Sequence, residues 1–72
     1  MTKRRDLVKM ITAAAAEAGI PFGVHREGSN HTVYDLGGKR IPIARHTNIA
    51  DQMAEVIMKQ AAEKLGKGWW KA

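Results

Sequence analysis

Three histidines, His25, His31 and His46, fall in the middle of the chain among Arg26, Lys39, Arg40 and Arg45. Histidine takes and gives a proton near neutral pH without tuning. RNA carries its own nucleophile in the 2′-hydroxyl. Its cleavage therefore needs only a base for that hydroxyl, an acid for the leaving oxygen, and cations for the charge building on phosphorus. Histidine with arginine meets that requirement, and no metal or other cofactor is expected. Zinc is the other chemistry that three histidines suggest. Their spacings of six and fifteen residues match no local ligand motif, and the chain has no cysteine to complete a site.

Charge and size narrow the partners. Twelve Lys and Arg stand against seven acidic residues, a net charge of +5 on 72 residues, with a pI near 10.0. Such a balance favours polyanions such as RNA, DNA or an acidic protein partner, with nucleic acid ahead of a merely soluble surface. The length makes a single domain over residues 1–72, with its core at about 4–65 and a tail at 66–72. A chain this short buries only about 60% of its unfolded surface, so a partner is expected to help hold it. With no disulfide framework, the expected compartment is the reducing cytoplasm. No apolar run approaches the roughly 20 residues of a membrane span. Asp6, Lys9, Thr12 and Glu17 interrupt the stretch after the basic N-terminus, which reads as a helix and not as a signal segment.

The elements that must position the histidines follow from periodicity. Leu7, Val8, Ile11, Ala14, Ala15 and Ala18 recur at helical spacing and predict a helix over 4–18, closed by Gly19 and Pro21. The alanines would let it lie close to a sheet. Lys3, Arg4 and Arg5 read as a loose basic arm. From residue 22 the period changes to that of strands, at 22–26, 31–36 and 39–45. Residues 27–30 form a turn in which Gly28 and Asn30 tolerate positive φ. Gly37-Gly38 forms a two-residue hairpin turn. Pro42 cannot donate to a ladder, which puts the third strand at an edge. In the second strand Val33 shares a face with His31 and Asp35, and Tyr34 shares the other with Leu36. Alternation leaves open which face meets the helices. A last helix begins after 46–48, with Thr47 or Asn48 as N-cap and Asp51 in its first turn. Its apolar stripe is Ile49, Met53, Val56, Ile57, Ala61 and Leu65. Trp69 and Trp70 in the tail are a lid on the core, a base-stacking pair or an interface anchor.

The expected fold is therefore α+β in the order α-β-β-β-α. A three-stranded antiparallel meander carries two helices on one face, the layout of double-stranded RNA-binding domains. Arg26, Lys39, Arg40 and Arg45 are candidates for phosphate contacts. Gly28 and Ser29 are turn residues whose backbone amides would also suit a phosphate. His46, at the end of the last strand, is a candidate for a supporting role, and His25 points out from Phe22 and Val24.

The run Arg26-Glu27-Gly28-Ser29-Asn30-His31-Thr32-Val33-Tyr34, followed by Ile41-Pro42-Ile43-Ala44-Arg45-His46, resembles the signature of the HicA toxin family. That signature is a Gly/Ser turn, a histidine with an aromatic residue three positions on, and then an apolar-Pro-apolar strand ending in histidine. Val56-Ile57-Met58-Lys59-Gln60-Ala61 is similar to the family's closing helix, and the resemblance spans about residues 5–65. It implies an endoribonuclease that cleaves mRNA, with His31 as its essential histidine and a HicB-type antitoxin protein as its inhibitor. It further implies a monomer when free and a hetero-oligomer with the antitoxin. This chain departs from the family's Gly-Ser-His form by placing Asn30 between Ser29 and His31. Counting back from Tyr34 puts His31 in the catalytic place. Counting forward from Gly28-Ser29 puts Asn30 there, and the chain is then a non-catalytic RNA-binding relative.

Overall fold

The computed structural model describes residues 2–70. Its elements are β1 (Thr2–Lys3), α1 (Arg4–Ala18), β2 (Phe22–Glu27), β3 (His31–Leu36), β4 (Lys39–Ala44), β5 (Asn48–Ile49) and α2 (Asp51–Leu65). Strands β2, β3 and β4 form one antiparallel sheet in that order, which sets the Pro42 strand at an edge. The helices lie on one face of it, α1 against β2 and α2 against β4, and they also touch each other. This is the α+β arrangement that the sequence predicts.

The residues of β3 decide which face is the core. Thr32, Tyr34 and Leu36 are buried, and with Ile41 and Ile43 of β4 they meet Leu7, Ile11 and Ala15 of α1 and Ala54, Ile57 and Ala61 of α2. Phe22 stacks on Tyr34 at 5.1 Å between ring centroids. Helix α1 ends as periodicity predicts. Gly19 in the left-handed region donates to Ala16 O, while Ile20 N donates to Ala15 O at 2.9 Å, so both orphan carbonyls are satisfied. Gly37 and Gly38, at φ 56° and 98°, make the tight turn between β3 and β4. Gly37 is fixed twice over, because a Cβ there would sit 2.8 Å from the Ile20 side chain.

Four expectations are corrected. The last helix takes Ala50 as its N-cap, with no side-chain cap. Neither Thr47 nor Asn48 plays that part, because Asn48–Ile49 pairs with Thr2–Lys3 in a second, two-stranded sheet. Met53 and Val56 are 51% and 49% exposed, and Ala54 takes the core position, since a small side chain lets α2 approach the sheet. Ala18 of α1 is likewise exposed. The N-terminal segment is no loose arm: Lys3 is paired in β1, Arg4 N donates to Thr47 O at 2.9 Å, and the Arg4 side chain is half-buried. The turn at 27–30 uses no positive φ; Gly28 is needed instead because a Cβ there would lie 3.0 Å from His31 O.

Trp69 packs on the core, and its Nε1 donates to Met58 O at 2.8 Å. The lid is thus one tryptophan, and Trp70 stands edge-on to it at 5.9 Å. Lys71 and Ala72 of the expected tail lie outside the described residues. Among those residues no helix is long and apolar enough to cross a membrane.

Candidate nucleic-acid interface

The sheet has a second face, turned away from both helices. Residues paired across antiparallel strands share a face, and alternate residues along a strand share it too. The register therefore builds this face in three rows. Gly23, Asp35 and Arg40 form the first, Arg26, Val33 and Pro42 the second, and His31 with Ala44 the third.

A bulge in β2 puts Arg26 there. Val24 pairs with Tyr34, but Arg26 pairs with Val33, so His25 is the extra residue between them. His25 and Asp35 line a shallow hollow with Pro21 and Gly23. The Asp35 carboxyl is held below the usual carboxylate range, first by the Gly38 amide at 2.8 Å, then by Arg40 at 3.0 Å, with a smaller effect of His25.

The other face at the same end of the sheet is closed by a polar knot. The buried Thr32 hydroxyl donates to Glu27 Oε1 at 3.2 Å and accepts from Arg4 at 3.2 Å and Arg45 at 3.3 Å. One donor and two acceptor positions are all a hydroxyl has, so Thr32 is fully satisfied. Arg45 also meets Glu27 Oε1 at 2.7 Å, and Arg4 reaches Tyr34 Oη at 3.2 Å and Ala44 O at 3.0 Å. Arg45 N donates to Asn30 O at 3.2 Å, which ties the turn before His31 to the segment carrying His46.

The expected site residues divide accordingly. His31 is exposed at the start of β3 on the open face, with Arg26 and Arg40, although Arg40 is engaged by Asp35. Lys39 stands apart: it pairs with Leu36, on the helix side, and its ammonium meets Glu63 of α2. Arg45 lies at the His31 end but spends its guanidinium on Glu27 and Thr32. The Gly28 amide is taken by His31 O at 2.8 Å, so it is not offered to a phosphate. Ser29 and His46 are exposed on either side of the same end. Among the described residues no group of three His, Asp or Glu is placed to hold a metal ion.

Sequence reasoning missed Arg4, Thr32 and Glu27. A signal for Arg4 was present, since it falls on the helical stripe of Leu7 and Ile11 and so points where they point.

No family model matches the chain, no curated protein matches it in sequence, and no solved structure matches it in fold.

Proposed function

We propose that the protein is an RNA-cleaving toxin of the HicA kind, working through His31. The carrying observation is that His31 is exposed at the start of β3, on an open sheet face it shares with Arg26. In this reading an imidazole removes the proton of a ribose 2′-hydroxyl, whose oxygen attacks the adjacent phosphorus. The bond to the 5′-oxygen breaks as that oxygen takes a proton from a second group. The products are a 2′,3′-cyclic phosphate and a 5′-hydroxyl, and the proton count balances. His31 supplies the base or the acid, His25 and His46 are the candidates for the other, and Arg26 neutralises the phosphate. The substrate is mRNA, the compartment the cytoplasm, and the partner a HicB-like antitoxin that covers the open face of an otherwise monomeric chain.

A second reading is a non-catalytic RNA-binding domain. It is favoured by the His31 ring, which has no hydrogen-bond partner among the described residues, whereas catalytic bases are commonly oriented by a third group. Purified wild type and His31→Ala are incubated with labelled RNA in EDTA and resolved on a gel. Cleavage by the wild type, reduced about 10²–10⁴-fold in the variant, supports the toxin reading. Binding without cleavage by either protein establishes the second. Equal cleavage by both removes His31 from the mechanism.

A further inference from the structure

The exposed side of α2 and the turn that follows it enclose a cleft of about 480 Å³, within the roughly 300–1,000 Å³ typical of small-ligand sites. Trp70 forms one wall, Ala62 the apolar floor, and Glu55, Lys59, Lys67 and Gly68 the rest. Trp69 braces that wall. It is anchored on the core and to Met58 O, and it meets Trp70 edge-on. Glu55 Oε1 and Lys59 neutralise each other at 3.0 Å. Lys67 makes no ion pair among the described residues, which leaves the described lining of the cleft one positive charge in excess.

An aromatic plane beside a cation suits a nucleobase with its phosphate. The second oxygen of Glu55 is an acceptor at the same cleft. Guanine offers two adjacent N–H donors on its Watson–Crick edge, and uracil offers one. We propose that this cleft binds a guanine nucleotide of single-stranded RNA. The base stacks on Trp70, its edge meets Glu55, and its phosphate meets Lys67. The site lies across α2 from the open sheet face, so it does not depend on cleavage at His31.

The test is a ¹H–¹⁵N NMR titration of the full chain with GMP, UMP and inorganic phosphate. GMP is expected to shift the Trp70 indole N–H and the Gly68 amide. UMP should bind several-fold more weakly, and phosphate should leave the Trp70 ring unmoved. The Trp69 indole, bonded to Met58, reports that the fold is intact. Trp70→Ala should weaken GMP binding at least about five-fold, and Lys67→Ala should weaken it several-fold. No shift at saturating GMP, as expected if the cleft serves a protein segment instead, overturns the proposal. So does an equal response to all three ligands, or wild-type affinity in Trp70→Ala with an unmoved Trp69 signal. Mononucleotides have no internucleotide phosphate to cut, so none of these results bears on His31.

Discussion

Arg4 and Thr32, 28 residues apart in the chain, share a hydrogen bond of 3.2 Å that pins the start of α1 to the strand that begins with His31. Thr32 is only 2% exposed, and its hydroxyl is the common partner of Arg4, Arg45 and Glu27. Removing that hydroxyl without changing the shape takes one hydrogen bond from each of two guanidiniums and a carboxylate. Thr32→Val is expected to cost about 1–3 kcal/mol in urea unfolding, and Thr32→Ser to restore most of it. A Thr32→Val midpoint equal to wild type would show that the knot adds nothing.

Gly28 and Gly23 separate close approach from mere flexibility. A Cβ at Gly28 would lie 3.0 Å from His31 O, the atom its own amide bonds, whereas one at Gly23 meets nothing within 4 Å. Gly28→Ala should therefore cost about 1–3 kcal/mol by overpacking and shift the amide signals around His31. Gly23→Ala should leave unfolding within about 0.5 kcal/mol of wild type. Thermal or urea unfolding of the pair, with NMR of the first, decides it.

Asp35 gives the sheet a pH dependence of known sign. Its carboxyl is held below the ordinary carboxylate range, by the Gly38 amide and then by Arg40. A folded-state value below the unfolded one stabilises the fold above the unfolded value, and the benefit is lost as pH falls through the folded one. Wild type should therefore exceed Asp35→Asn in stability at pH 6, and the gap should close as pH falls below about 3.8. Urea midpoints of both proteins across that range make the comparison. A gap that widens toward acid would reverse the sign.

The two tryptophans should differ in their weight. Trp69 packs on the core and bonds Met58 O, while Trp70 lies outside it. Trp69→Ala is expected to cost about 2–4 kcal/mol, and Trp70→Ala less than about 1 kcal/mol. Equal losses in calorimetry would mean that the last turn docks as one unit.

The sequence carried the sheet clearly where turn chemistry and period agreed. Gly37-Gly38 between two alternating runs admits little but a hairpin, and Gly19 with Pro21 stops α1 where it stops. The pairing of Thr2–Lys3 with Asn48–Ile49 left no such trace, because strands of two residues have no period. Helical periodicity placed Met53 and Val56 near the buried stripe of α2, but where a stripe is centred depends on how closely the helix lies on the sheet. Ala54 decided that. The candidate site was legible in residue type at His31 and Arg26. Its neighbours Thr32 and Glu27 were not, because a buried hydroxyl and its acid are chosen by three-dimensional partners that hydropathy does not record.

The bulge at His25 turns the charge of the sheet into a matter of parity. Upstream of it, even-numbered residues of β2 lie toward the helices; downstream, odd-numbered ones do, as Glu27 opposite Thr32 and Arg26 opposite Val33 attest. With an unbroken alternation Arg26 would turn inward with Val24, and Glu27 would face out. The open face would then exchange a cation for an anion, and Thr32 would lose its carboxylate to a third guanidinium. Loss of the one extra position in this strand thus exchanges the charges that β2 presents on its two faces downstream of the bulge. Homologues that differ in length here would be expected to differ in the polarity of what they attract.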